Sequence, residues 1–380
     1  MKLLQLAFAF LILSGKSLAQ GECPGQHCSA KAEVVNRMCK ELGNQGRPVF
    51  VENNGSYCWC KCSCLASSTP VESDVNSWKP IGDVKVGETV LAIDGNGKWA
   101  KANVVYSDGS AMPEKPFPYA IYVSTENNVT LITTASHLFL MPDGSLKRAD
   151  RLTPKDKLLD KNRKELKITT LTSGSYLGPI HHIATTNWDE ENTSLSGHLI
   201  NTSGVISADY FAELFLQPSQ NLLNSPQVNS AEYSKSYDLT EALGASKLKD
   251  TIQFSESTRF IPYKQKADPK NAMYFIPPGL DVAIGGSLSP LDNSLPYEMA
   301  LYLADHFKVY YPNVIFHVEW ADARVNAFAW MQGGQRHVSI LGGLLRHNAI
   351  KLEGASLVLA HELGHHFGGV PRYPDNSWSS

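Results

Sequence analysis

The chain has 380 residues, 43% of them hydrophobic, and a formal net charge of −3 at pH 7. That length predicts two or three domains of ordinary globular composition. The charge balance argues against nucleic acid as a partner, because phosphate binding needs a concentrated basic surface.

In chain order, Lys2 precedes an apolar run from Leu3 to Leu13 that only Gln5 interrupts, and Ser17-Leu18-Ala19 follows with small residues. Residues 1–19 therefore read as an export signal, too short to span a bilayer comfortably. No later apolar run reaches membrane length. The mature protein is expected to be secreted, periplasmic or at the cell surface, without stable membrane insertion. All seven cysteines come early: Cys23, Cys28, Cys39, Cys58, Cys60, Cys62 and Cys64. The odd count suggests six for three disulfides and one for chemistry, with the pairing left open among fifteen connectivities. Residues 20–63 are too short to bury an adequate core, so disulfide staples are expected for this small head. Ser29 caps an expected helix from Ala30 to Leu42 that ends at Gly43. In Cys58-Trp59-Cys60-Lys61-Cys62-Ser63-Cys64, period two would put four cysteines on one strand face. A metal cluster there is the alternative, although the spacing matches no usual zinc pattern. Asn54, Asn128, Asn192 and Asn201 lie in glycosylation sequons.

Residues 64–215 read as an all-β domain, with frequent turn signals at Asp94-Gly95-Asn96-Gly97 and Pro142-Asp143-Gly144. Strands are expected over Val84 to Ile93, Asn103 to Tyr106, Ala120 to Val123, Val129 to Thr133 and His137 to Met141. Residues 216–254 are polar and read as a linker with one helix near Thr240 to Lys249. Residues 255–380 read as an α+β unit. A helix starts at Ser294-Leu295-Pro296. Strands follow over Val314 to Trp320, Val325 to Met331 and His337 to Leu341, and a helix covers Glu353 to Phe367.

Cys64 opens the all-β stretch. A cysteine can attack the carbonyl before it, here that of Ser63, converting an amide into a thioester. That shift is uphill unless the leaving nitrogen is protonated and the oxyanion is held. Thr134-Ala135-Ser136-His137 offers both functions: His137 to deliver a proton and Thr134 to hold the scissile peptide.

Four segments then carry a resemblance, in this order. They are Cys64-Leu65-Ala66-Ser67-Ser68-Thr69-Pro70-Val71, Ile81-Gly82-Asp83-Val84-Lys85-Val86-Gly87-Glu88-Thr89-Val90-Leu91, Thr133-Thr134-Ala135-Ser136-His137-Leu138 and Gly197-His198-Leu199-Ile200-Asn201. Residues 64 to about 211 resemble the Hint module shared by hedgehog autoprocessing domains and inteins. The resemblance implies an all-β horseshoe with Cys64 at its first strand, and Thr134 and His137 acting in the acyl shift. It also places Asp108 near an aspartate that activates an incoming alcohol in hedgehog modules; a turn aspartate before Gly109 is the other reading. Ser207-Ala208-Asp209-Tyr210 stands where hedgehog modules carry a cysteine, and Asn201-Thr202 fits an internal strand better than a splice junction. Cleavage at Ser63-Cys64 is therefore expected rather than splicing, with water or a small thiol as second nucleophile. A Cys62–Cys64 disulfide is a hypothetical lock on that site.

His361-Glu362-Leu363-Gly364-His365 is the second motif. On a helix, His361 and His365 share a face and can bind one Zn²⁺, while Glu362 can serve as general base toward a water. His366 lies off that face. Gly342-Gly343-Leu344-Leu345-Arg346-His347 and Gly368-Gly369-Val370-Pro371-Arg372 add a resemblance to exported zinc metallopeptidases of the zincin class. That resemblance makes His337 to Leu341 the candidate edge strand for an extended peptide substrate. A catalytic zinc needs a third protein ligand. Asp375 is the acidic candidate in the tail, and the stop at Ser380 suggests a truncated chain. The leading expectation is thus an exported, self-processing zinc metallopeptidase. The alternatives are a non-enzymatic surface protein with an inert β scaffold and structural zinc, and a protease with a degenerate Hint insert.

Overall fold

The computed structural model describes residues 48–51, 56–59, 64–110, 112, 116–186, 194–215, 225–228, 230, 233, 259–263, 268–269, 271–277, 288–289, 291 and 295–368. The export signal, the cysteine pairing of the head, the helices expected over 30–42 and 240–249, Ser63 and Asp375 lie outside the described residues. Within the head, Pro48–Val51 and Ser56–Trp59 form an antiparallel hairpin.

From Cys64 onward the chain builds two eight-stranded sheets. The first runs Lys157–Leu159, Glu165–Tyr176, Phe117–Thr125, Thr130–Thr134, Leu65–Ala66, Ile180–Ala184, Tyr106–Gly109. The second runs Leu146–Arg148, Leu138–Leu140, Val205–Ala208, Leu199–Thr202, Pro70–Asp74, Ser77–Pro80, with Thr89–Ile93 and Trp99–Asn103 attached through Leu199–Thr202. All of these pairings are antiparallel. The long strand Glu165–Tyr176 shows why: Leu166, Ile168 and Thr170 are buried while Glu165, Lys167 and Thr169 are exposed, the period of a one-sided strand. The turn signals fall where expected. Asp94 closes one hairpin by accepting from Asn96 N and Lys98 N, each at 2.9 Å, ahead of Gly97 at φ 75°.

Ile81-Gly82-Asp83 is a 3-10 turn laid against the segment that follows Cys64. Ile81 N donates to Thr69 O at 2.8 Å and Gly82 N to Ser67 O at 3.0 Å. A Cβ on Gly82 would stand 2.8 Å from Ser67 Cβ, so this approach requires glycine. Asn201 is buried and donates to Glu72 Oε2 at 2.6 Å, while Lys161 Nζ meets Glu72 Oε1 at 2.6 Å. The Asn201 sequon is therefore closed to a glycan in the folded chain, whereas Asn128 is exposed at a hairpin tip. Asn201 also sits inside a paired strand, opposite Ile206.

Two segments depart from the expected boundaries. Phe260–Pro262, expected beyond the linker, extends the first sheet alongside Gly174 to Tyr176. Val228 and Tyr233, in the stretch read as a polar linker, are fully buried, and Tyr119 Oη donates to Val228 O at 2.6 Å. A polar average concealed two apolar anchors.

The C-terminal unit is a four-stranded sheet packed on helices Leu295–Tyr310 and Leu352–Phe367. Its order is Met273–Tyr274, Ala327–Gln332, Gln335–Leu341, Val314–Glu319, with the last pair parallel. Gly333 and Gly334, at φ 56° and 81°, make the tight turn between its central strands. One strand face packs Ala327, Ala329, Val338 and Ile340 against Ala355, Val358, Leu359 and Leu363 of the second helix. Gln335–Leu341 is paired on both sides along its length, so the expectation of an edge strand there is corrected. Its alternating apolar face marks it as a strand but cannot report how many neighbours it has. No described helix is long and apolar enough to cross a membrane.

Candidate functional site

Cys64 immediately precedes the short strand Leu65–Ala66. Leu65 lies opposite Thr133 on one side and opposite His181 on the other. Thr134 grips residue 64 at both ends. Its Oγ1 accepts from Cys64 N at 2.8 Å, and its own N donates to Cys64 O at 2.9 Å. The Thr134 hydroxyl donates to Cys64 O at 3.3 Å. Cys64 N is the nitrogen of the Ser63–Cys64 peptide, the atom that would leave in a backbone cleavage. The Cys64 thiol is free and buried. Burial pushes it well above the usual thiol range, and the negative charges of Glu213 and Asp108 add to the shift.

His137 is completely buried. Its Nδ1 lies 2.7 Å from Glu213 Oε1, which also accepts from Leu138 N at 3.0 Å. Glu213 Oε2 lies 3.3 Å from Nε2 of a second buried histidine, His182. His182 Nδ1 accepts from Ile183 N at 2.9 Å, so its proton sits on Nε2 and faces the carboxylate. One buried carboxylate thus bridges two imidazoles whose ring centres are 5.6 Å apart. Burial pushes the Glu213 carboxyl up, but His137 and His182 outweigh it and hold the group down at about 2. Burial lowers His137 despite Glu213, so its imidazole is neutral at pH 7. The Nε2 atom of His137 and the Tyr210 hydroxyl are buried with no hydrogen-bond partner among the described residues. The donor atoms of His137, His182 and Glu213 lie within 4.8 Å of one another, a spacing that also suits one cation.

Glu213 arrives on the short helix Tyr210–Phe215. Asp209 starts that helix by accepting from Ala212 N at 3.0 Å. The same carboxylate accepts from Thr185 N at 2.9 Å and holds His198 Nδ1 at 2.9 Å, fixing the helix to the sheet. Asp108 lies in the strand Tyr106–Gly109, opposite His182, and its Oδ1 accepts from Gly109 N at 2.7 Å. It is a strand residue near the thiol rather than a turn aspartate. His181, next to His182, points to the opposite face, where its Nε2 meets Ser107 Oγ at 2.8 Å. The structure therefore brings Cys64, Thr134, His137 and Asp108 to one region and adds His182 and Glu213. Sequence reasoning did not single those two out. The only signal was a histidine doublet in an apolar run, which period two splits between faces.

The second candidate site lies on the helix Leu352–Phe367. Donor atoms of His361, Glu362 and His365 fall within 4.8 Å of one another. His361 packs edge-on against Phe275 at 5.3 Å. His361 Nε2 and both Glu362 carboxylate oxygens are buried without a hydrogen-bond partner among the described residues. Such orphaned polar atoms are costly unless something binds them, and two imidazoles one turn apart beside a carboxylate suit zinc. Burial raises Glu362 to about 8, and a cation beside it would favour the carboxylate again. Burial lowers His365 to about 4, with the neighbouring His361 and His366 adding to the shift. His366 turns away from the pair and meets His337 O at 2.9 Å through Nε2, tying the helix to its sheet. Among the described residues, the group holding His361 and His365 contains no ligand beyond Glu362.

No family model and no curated protein matches this sequence. Among solved structures, part of the chain is similar to the gp41-1 intein, at 17% identity and TM-score 0.30, covering 39% of this chain and 99% of that one. It is similar also to a bacterial intein-like domain from Clostridium thermocellum, at 14% identity and TM-score 0.32, covering 39% and 99%. A DnaB intein from Synechocystis sp. PCC 6803 gives 17% identity and TM-score 0.31, covering 39% and 99%.

Proposed function

We propose that this protein cuts its own backbone between Ser63 and Cys64, releasing the cysteine-rich head. The observation that carries this reading is the grip of Thr134 on both ends of Cys64, at 2.8 Å and 2.9 Å. The thiol is neutral in the resting state, so the proton must leave as sulfur attacks. The neutral imidazole of His137 receives it, and Glu213 stabilises the imidazolium that forms. As the Cys64 S–Ser63 C bond forms and the C–N bond breaks, His137 returns the proton to the leaving nitrogen. That nitrogen becomes the α-amine of Cys64. Thr134, already bonded to that nitrogen, holds the peptide in position. Water or a small thiol then attacks the Ser63 thioester and frees Cys64. Asp108, close enough for its charge to be felt at the thiol, is the candidate to orient that second nucleophile.

The C-terminal unit is proposed as a zinc-dependent peptidase acting on a peptide or protein. His361 and His365 would hold the ion, with Asp375 the candidate third ligand. Zinc bound there supplies Lewis acidity toward a peptide carbonyl. Glu362, buried beside the pair, would accept a proton from water. The leading apolar run and the clustered cysteines favour work outside the cytoplasm.

Full-length protein and Cys64→Ala, run on a denaturing gel with and without thiol, test the first proposal. A fragment beginning at Cys64 in the native protein alone supports it. An intact native chain under every reducing condition defeats it.

A further inference from the structure

The Thr134–His137 loop is held from behind by the 3-10 turn Ala149–Arg151. Ala149 N donates to His137 O at 2.7 Å, and Asp150 N donates to Ala135 O at 3.0 Å. The Asp150 side chain is fully buried. Its Oδ1 accepts from Arg148 Nε at 2.8 Å, and its Oδ2 accepts from Arg148 Nη2 at 3.0 Å and from Gln227 Nε2 at 2.7 Å. The next residue, Val228, donates its N–H to Asp150 O at 2.9 Å. At its other end, Gln227 Oε1 accepts from Leu291 N at 3.2 Å. Leu291 O in turn accepts from Trp320 Nε1 at 2.9 Å, and Trp320 is fully buried in the C-terminal unit.

An unbroken run of hydrogen bonds therefore links the self-cleavage loop, through Asp150, Gln227 and Leu291, to the core of the metal-binding half. The amide of Gln227 can serve only in this orientation. Asp150 offers acceptors and needs the NH₂, and Leu291 N–H is a donor and needs the carbonyl. Neither a carboxylate nor an alkyl group of similar size meets both demands. Such a bridge is costly to leave half-made in a buried setting. It also lies behind the residue pair whose placement governs an in-line attack, where shifts of about 1 Å cost rate steeply.

We infer that Gln227 is a positioning residue that couples head release to a folded C-terminal unit, so that the chain cleaves only once its metal-binding half has docked. This inference rests on the self-cleavage reading. It assigns an order to maturation: assembly of the C-terminal core first, scission at Cys64 second.

The test uses the full chain and follows thiol-induced cleavage over time on a denaturing gel. Gln227→Leu should cleave roughly tenfold more slowly than the native chain, the cost of about one buried hydrogen bond. Gln227→Glu keeps the size but sets carboxylate against carboxylate, and should be slow as well. Lowering the pH toward about 5.5 protonates the introduced carboxyl, which then donates to Asp150 and still accepts from Leu291 N, and should bring its rate back to within about threefold of the native chain at the same pH. A bridge that merely adds stability would not give that rescue at temperatures well below unfolding. Native rates in both variants, or slow cleavage of Gln227→Glu that acid does not restore relative to the native chain, overturn the coupling. A native chain that never cleaves overturns the self-cleavage reading together with it.

Discussion

Glu213→Gln is the substitution whose effect can be worked out most fully. The carboxylate accepts from Leu138 N and stands 2.7 Å from His137 Nδ1 and 3.3 Å from His182 Nε2. A glutamine offers one acceptor oxygen; with that oxygen kept for Leu138 N, its NH₂ faces the proton on His182 Nε2, donor against donor. Glu213 is held down at about 2 from an ordinary 4.5. That drop counts both imidazoles as charged, and His137 is neutral at pH 7, so only part of it carries to neutral pH: roughly 2 kcal/mol, the scale of a buried hydrogen bond to a charged group. The sign follows from the direction of the shift. A carboxyl lowered in the folded state contributes fully above its unfolded value, near 4.5, and loses that contribution as pH falls toward 2. The assay is urea unfolding of Cys64→Ala and of Cys64→Ala with Glu213→Gln, so that neither chain can cleave. Near neutral pH the second variant should be less stable by roughly 2 kcal/mol, a midpoint lower by about 1 M. The gap should narrow between pH 4.5 and 2, as protonated Glu213 comes to resemble the amide. A gap under about 0.5 kcal/mol at pH 7, or one that stays constant into acid, would refute the carboxylate bridge.

Thr134→Ala should keep the fold, lose about 1 kcal/mol of stability, and slow Cys64-dependent cleavage about a hundredfold on a thiol time course. His137 is lowered from its usual value by burial, so it stays in its base form below pH 6.5. Cleavage measured against pH should therefore hold level from pH 8 to 6.5 and fall only at lower pH. His361→Ala should lower zinc content measured by atomic emission on the purified chain, while leaving scission at Ser63–Cys64 at the native rate.

The two sites differ in how far the sequence discloses them. The pair His361 and His365 shares a face because helix geometry is local, so four-residue spacing suffices to place both rings. Thr134 and His137 are similarly local, lying on one strand end and the turn that follows. Glu213 and His182 are not. They meet His137 only because Ile180–Ala184 pairs with Leu65–Ala66 and because Asp209 starts a helix at Tyr210. Neither pairing leaves a periodic mark in the chain. Asp209 is legible as a helix cap once the helix is known, but a six-residue helix gives too short a pattern to announce itself. The same limit explains Gln227, a lone polar residue in a polar stretch, whose burial is decided by the apolar Val228 and Tyr233 around it. The strand Gln335–Leu341 shows a related gap: alternation identifies a strand and its buried face, whereas its central place depends on partners far along the chain.

A thioester between Ser63 and the Cys64 sulfur is the intermediate on which the proposal turns, and hydroxylamine reports it directly. Full-length protein incubated with hydroxylamine should release a head whose mass ends in a hydroxamate at Ser63, leaving a fragment with free Cys64 at its amino end. An unchanged intact mass, or a cut at any other peptide bond, would contradict it.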